Sequence, residues 1–318
     1  MRHSIKTVTP KPVLKQRPQL GPKLGQRLSS MLGLKLNAGL FLILSLSLHF
    51  PSHSETVDQW LKINDFESAA ALQDWTIIDT QNETQPRIEN PQVTEVRKEP
   101  IQPNQSQHYL IKKPAAEGVV GNRKALSFAP LPVPIEVGDT YTFYLRINVE
   151  YFPNNHVFGL SDMQPDDIIK NAYNAIEPSL RVTDRYDPNI DYKNDGTLLV
   201  RKNNWYSKIH HPQSGTPAKP METDIWYEIW MVVNNNKKSE GGQGYDVYIR
   251  GGSEFPTQQK VFTDADFRMQ RENPILYFLA TCNTGPIKDP YGNGGLRYDD
   301  LYMVKGEVLS SPITNITF

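Results

Sequence analysis

The stretch 180–211, LRVTDRYDPNIDYKNDGTLLVRKNNWYSKIHH, gathers arginines, aromatic rings and a histidine in one run. Flat rings match the C–H face of a pyranose, and planar polar groups pair with hydroxyls and carboxylates. Side chains alternate along a strand, so Trp205, Ser207 and Ile209 share one face and Tyr206, Lys208 and His210 the other. That second face is a polar aromatic surface suited to an anionic sugar. Arg181, Arg185, Arg201, Trp205, Tyr206, Lys208 and His210 are its candidate contacts. The same spacing also accommodates Trp205 in a core under a solvated charged face, and both readings stay open.

Catalysis needs more than contact. Eliminative cleavage of a uronate polymer takes a Tyr or His base and a group that neutralises the carboxylate. Tyr206, His210, Arg181 and His156 are the available types. Retaining hydrolysis takes two carboxyls about 5–5.5 Å apart. WYEIWM offers Glu228 alone, and TDADF (263–267) offers only two aspartates, which speaks against that route. His210 and His211 are adjacent, so alternation points them apart, and no third ligand stands at a metal spacing. No G-x-S-x-G, Walker A or dinucleotide glycine motif occurs.

The elements that must carry these groups are strands. The chain has 318 residues, a net charge of −1, 25 Pro, 15 Tyr and 12 Phe. A balanced charge argues against a nucleic-acid partner. The single cysteine, Cys282, lies in the apolar run ILYFLATC and reads as a buried structural thiol. TYTFYLRINVEYF (140–152) alternates most clearly, IWYEIWMVVNNN and YDVYIRGG read as a hairpin, and PDDIIKNAYNAI (165–176) is the one helical candidate. Residues 81–108 are polar and broken by four prolines, so an irregular excursion is expected there. Around a dozen strands with one short helix and no internal repeat predict an all-β sandwich of two antiparallel sheets over residues 55–318.

Residues 1–35 carry eight Lys or Arg and no acid, and the apolar run AGLFLILSLSL follows at 38–48. This is the order of a secretory signal with a long basic n-region, with a weak cut after Ser54. An uncleaved anchor through residues 36–50 is the alternative. Either places the bulk of the chain outside the cytoplasm, as a secreted, periplasmic or cell-surface protein.

The closing stretch GGLRYDDLYMVKG (294–306) holds two consecutive aspartates in strand context. A carboxylate beside apolar neighbours must be paired, hydrogen-bonded or metal-bound. Asp299 and Asp300 should point in opposite directions, Asp300 toward solvent or a neighbouring tyrosine, unless the strand is bulged.

NDFESAAALQDW (64–75), DIWYEIWMVVNN with YDVYIRGG, and LRYDDLYMVKG together resemble the concanavalin A-like lectin/glucanase superfamily, laminin-G-like and carbohydrate-binding jelly rolls included, over roughly residues 60–305. The resemblance implies a jelly roll whose first and last strands are neighbours and are often tied by a structural Ca²⁺. It implies Glu67 and Asp299 as ligands, and calcium takes such hard oxygens. The alternative leaves both acids facing solvent or paired with a base such as Arg297. LYFLATCNTG (276–285) faintly resembles the alginate-lyase strand YFKAGxYxQ, but its Lys, second Tyr and Gln are missing, with Leu279, Cys282 and Thr284 in that stretch. The resemblance therefore implies a carbohydrate-binding protein recognising a polysaccharide. A lyase is the second reading, and a structural or adhesive surface protein without a sugar site is the third.

Overall fold

The structure is a computed structural model that describes residues 59–99, 106–187, 191–284 and 292–313. The basic segment, the apolar run 36–50 and the Ser54 cut site lie outside these residues. The strands are β1 (Leu61–Asn64), β2 (Thr76–Gln85), β3 (Val93–Lys98), β4 (His108–Lys113), β5 (Val120–Ile135), β6 (Thr140–Val149) and β7 (Asn155–Ser161). A short helix α1 (Pro165–Asn171) runs into a 3-10 turn at Ala172–Ala175. Then come β8 (Ile176–Thr183), β9 (Tyr186–Asp187), β10 (Tyr192–Lys193), β11 (Leu198–Lys202), β12 (Trp205–Lys208) and β13 (Trp226–Asn234). The last four are β14 (Gly244–Gly251), β15 (Phe255–Asp266), β16 (Ile275–Asn283) and β17 (Leu296–Lys305).

One antiparallel sheet runs β15-β14-β13-β6-β17-β4-β3, with β1 also on β17. The other runs β12-β11-β8-β7-β16-β5-β2. Alternation builds the core between them. On β6, Phe143, Leu145, Ile147 and Val149 face inward, and Tyr227, Ile229, Met231 and Val233 of β13 join them against Phe158, Leu180 and Phe278 of the second sheet. The chain is thus the expected β-sandwich of two antiparallel sheets with one short helix. The β13–β14 hairpin pairs over its full length, from Tyr227 opposite Gly251 to Asn234 opposite Gly244.

The excursion expected at 81–108 is corrected. Its two ends are β2 and β3, and Pro86 and Pro91 sit in the turn between them. Polar strand residues suit these positions because both strands are sheet edges, with one face toward solvent.

The closing strand is bulged. Asp299 lies opposite Arg146 of β6, the register then shifts before Tyr302, and Asp300 has φ of 53°. The extra residue turns Asp300 inward instead of toward solvent. Both aspartates meet one guanidinium, with Arg146 Nη1 3.0 Å from Asp300 and 3.5 Å from Asp299. Asp300 N–H also donates to Asp299 Oδ1 at 2.8 Å. Burial, followed by the neighbouring Asp300, pushes the Asp299 carboxyl well above the usual range. Burial pushes Asp300 up to about 6 against the opposing charge of Arg146. A carboxyl whose folded pKa exceeds its unfolded value adds stability below about 3.9, and that stability is lost as pH rises through the folded value. In thermal melts between pH 4 and 7, Asp300→Asn should therefore gain stability relative to the parent as pH rises. A constant difference between the two proteins would contradict the shift.

Beyond β17, residues 307–313 cross the outer face of the first sheet. Trp230 Nε1 donates to the Ser310 carbonyl at 3.3 Å, and Ser311 Oγ donates to Glu228 at 3.2 Å. Glu228 is fully buried there and ion-paired with Arg250.

Candidate functional site

The candidate residues assemble on the outer face of the second sheet, near its β12 edge. Register sets them side by side. Tyr206 of β12 lies opposite Arg201 of β11, Lys208 lies opposite Leu199, and Leu199 lies opposite Arg181 of β8. Two guanidiniums lie over the Tyr206 ring, with Arg181 5.0 Å and Arg201 5.5 Å from its centroid. The predicted alternation holds at Ile209, which enters the core, and at Tyr206. Trp205 stands half-buried at the strand's start and lines the groove rather than the core.

A cavity of about 370 Å³ opens over this row, lined by Arg181, Arg185, Arg201, Trp205 and Tyr206 together with Arg268. It continues into a second cavity of about 350 Å³ that shares Arg181, Trp205 and Tyr206 and adds Tyr192, Lys208 and His210. The structure therefore brings together all seven residues expected to bind sugar.

Charge is unbalanced in the first cavity. Among the described residues, no carboxylate lies within ion-pair distance of Arg181, Arg201 or Arg268; their fixed partners are amides and rings. Arg181 donates to Asn155 Oδ1 at 2.9 Å, and Arg268 donates to Asn174 Oδ1 at 3.0 Å while its guanidinium sits 4.3 Å from the Tyr173 ring centroid. Arg201 Nε is buried with no hydrogen-bond partner among the described residues. Burial and the neighbouring Arg268 together pull the Arg201 pKa down. Buried donors are nearly always paired in native proteins, so an unpaired guanidinium N–H beside another cation marks a place for an acceptor.

Two pieces of the wall come from afar in sequence. The turn after α1 brings Tyr173, whose hydroxyl bonds that of Tyr206. Burial, followed by Tyr206, raises the Tyr173 pKa. The loop after β15 brings Arg268 and is pinned by Glu177, which is 2 % exposed and accepts from the backbone N–H of Met269, Gln270 and Arg271 at 2.8, 3.1 and 3.2 Å. Arg271 in turn grips Asp162 with Nε at 2.7 Å. Neither Arg268 nor Tyr173 was among the sequence candidates. RMQR follows a strand end and AYNA follows a helix end, and only the fold carries them to β12.

His156 is a correction. It has no exposed surface, points between the sheets, and bonds the Gly294 carbonyl through Nε2 at 2.9 Å. Burial pulls its pKa down to about 3, so it stays neutral and outside the groove. Parity decides this, since on β7 Asn155 and Val157 face the groove side and His156 and Phe158 the interior. Cys282 is buried as expected, and burial pushes its thiol up to about 11.

The pair expected to hold calcium does not fit that ion. Glu67 Oε1 accepts from Ser106 Oγ at 2.7 Å and from the N–H groups of Gln107 and His108 at 2.7 and 2.9 Å, and Oε2 meets His108 Nδ1 at 2.9 Å. A carboxylate surrounded by donors has its lone pairs engaged, whereas a calcium ligand must offer them. Asp299 is engaged by Arg146. Among the described residues, no three His, Cys, Asp or Glu side chains are grouped to hold a metal. The neighbourhood of first and last strands is nevertheless present, with Leu61 of β1 opposite Met303 of β17.

No family model and no curated protein matches the chain. Solved structures resemble it. The VIP36 exoplasmic/lumenal domain, in its Ca²⁺/Man3GlcNAc-bound form, is 8% identical with a TM-score of 0.41 over 80% of this chain and 93% of that one. A GH131 β-glucanase catalytic domain from Podospora anserina is 11% identical with a TM-score of 0.47, covering 79% and 98%. A PL-14 alginate lyase from Aplysia kurodai is 12% identical with a TM-score of 0.46, covering 78% and 98%. At such identities the likeness concerns the fold, and the groove has to be interpreted on its own residues.

Proposed function

We propose that the protein is an exported carbohydrate-binding protein whose β8–β11–β12 groove takes an anionic polysaccharide. The observation that carries this is the arginine cluster, with Arg201 Nε buried and unpaired beside Arg268. A uronate carboxylate supplies the acceptor that Arg201 Nε lacks and a counter-charge for the cluster, and charge-assisted bonds of this kind are among the strong ones. Trp205 and Tyr206 supply ring faces for the pyranose beside it. The basic n-region and the apolar run at 38–48 support export. Among the described residues, no helix is long and apolar enough to cross a membrane.

Affinity electrophoresis on a panel of alginate, pectate, glucuronan and neutral dextran tests the reading. Retardation by one or more of the polyuronates, weakened by salt, is expected, with none by dextran. Equal retardation by dextran, or none by any polyuronate, would overturn it.

A lyase is the second reading, favoured by the Tyr173–Tyr206 hydroxyl pair set among Arg181, Arg201 and Arg268. In β-elimination a base removes the C5 proton. That electron pair forms the C4=C5 double bond, the C4–O glycosidic bond breaks, and the departing oxygen takes a proton. Tyr206 is the candidate for proton transfer and Arg181 or Arg201 for neutralising the carboxylate. If it operates, polyuronates gain the absorbance of the unsaturated product and Tyr206→Phe removes that gain. Turnover that Tyr206→Phe leaves unchanged would exclude the assignment.

A further inference from the structure

Arg268 and Tyr173 reach the groove from segments outside both sheets, so something other than a strand ladder must hold them. Residues 267–274 form no strand or helix, and their backbone donors need partners elsewhere. One residue takes four of them in a row. The Glu177 carbonyl accepts from Arg268 N–H at 3.0 Å, and its carboxylate accepts from the N–H groups of Met269, Gln270 and Arg271. Successive N–H groups converging on one anion form a nest. The loop bends to make it, since Gln270 and Glu272 have φ of 56° and 53°, and residues of these types keep such a conformation only where the surroundings hold it.

Arg271 extends the nest to the turn that carries Tyr173. Its Nε lies 3.1 Å from Glu177 Oε1 and 2.7 Å from Asp162 Oδ2, and its other nitrogens donate to the carbonyls of Asn174 at 2.9 Å and Ala175 at 3.3 Å. Arg268 closes the ring from the groove side, through Asn174 Oδ1 and the face of Tyr173. Glu177, Arg271 and Asp162 line neither cavity, so any effect of theirs on a ligand must pass through the residues they hold. We infer that Glu177 and Arg271 are positioning residues of the groove. They clamp the loop after β15 and the turn after α1 into one piece, and through it hold the Arg268 guanidinium beside Arg201, where both meet one anionic group. Like charges side by side repel, and the clamp is what opposes their separation while the groove is empty. The inference rests on the polyanion reading and names the groups that act behind its contacts.

Titration calorimetry with oligouronates cut from alginate, pectate and glucuronan tests this, together with hydrogen exchange at the amides of residues 269–271. Glu177→Ala should speed that exchange and weaken binding by about tenfold, the equivalent of one charge-assisted contact. In an Arg268→Met background the same change should cost little further affinity, because the contact it positions is already gone. Glu177→Gln keeps one carbonyl oxygen for the Met269 and Gln270 N–H groups and should recover part of the loss. Undiminished affinity in Glu177→Ala would overturn the inference and leave the polyanion reading standing. An equal loss in the parent and Arg268→Met backgrounds would do the same, since it would show a general loosening of the fold. If Glu177→Ala does not fold, Glu177→Gln and Arg271→Met carry the comparison, and full affinity in both would overturn the inference. No heat from the parent with any of the three fragments would overturn the polyanion reading and the inference with it.

Discussion

Arg146→Leu should destabilise the sandwich by about 3–5 kcal/mol, the range for breaking a buried pair by removing one partner. Arg146 is 1 % exposed, and it is the cation against which both Asp299 and Asp300 are buried. Its guanidinium also lies 4.7 Å from the Trp226 ring centroid, so the variant loses a cation–π contact as well. Leucine fills part of the space and leaves two carboxyls without a counter-charge. They can respond only by protonation, so the loss should be larger at pH 7 than at pH 4. Adding Asp299→Asn and Asp300→Asn should recover much of it, because removing every charge leaves nothing uncompensated. Denaturant melts of the single and triple variants check this. A triple variant as unstable as the single one would show that Arg146 acts through packing alone.

Arg201→Met should move stability and binding in opposite directions. The methionine keeps an apolar stem in place and removes a guanidinium whose Nε is buried without a partner beside Arg268. Relief of even about 1 kcal/mol raises Tm by about 2–4 °C in a protein of this size class. Polyuronate affinity should fall about 10- to 100-fold, the equivalent of a charge-assisted hydrogen bond at about 1.5–3 kcal/mol. Functional sites commonly carry such local cost, and the pairing of higher Tm with lost binding is its signature. A variant that loses stability and keeps affinity would place Arg201 among the structural arginines.

Much of this arrangement is visible in residue order, and the failures have physical causes. Alternation in TYTFYLRINV and WYEIWMVVN reports directly which residues face the core, because each of these strands has one apolar and one polar-aromatic face. The site's near wall is legible for the same reason, since Arg201, Tyr206 and Lys208 share a parity on adjacent strands of a tight hairpin. His156 misleads because every residue of NHVFGLS is buried, so alternation carries no contrast there. Asp300 misleads because a bulge resets parity within the strand, and nothing in YDDLY announces one. Asp299 finds Arg146, 153 positions earlier in the sequence, Arg268 reaches the groove through a loop anchored by Glu177, and Tyr173 reaches it through the turn after α1. Long-range partners of this kind follow from topology, which composition and spacing do not encode.

The arginine cluster of the groove is expected to receive a carboxylate sugar. Titration calorimetry of oligouronates against the parent and against Arg201→Met combined with Arg268→Met, at low and physiological salt, measures that directly. Saturable binding by the parent that weakens with salt and vanishes in the double variant is the predicted result. No heat from the parent at either salt concentration, or undiminished affinity in the double variant, would contradict it.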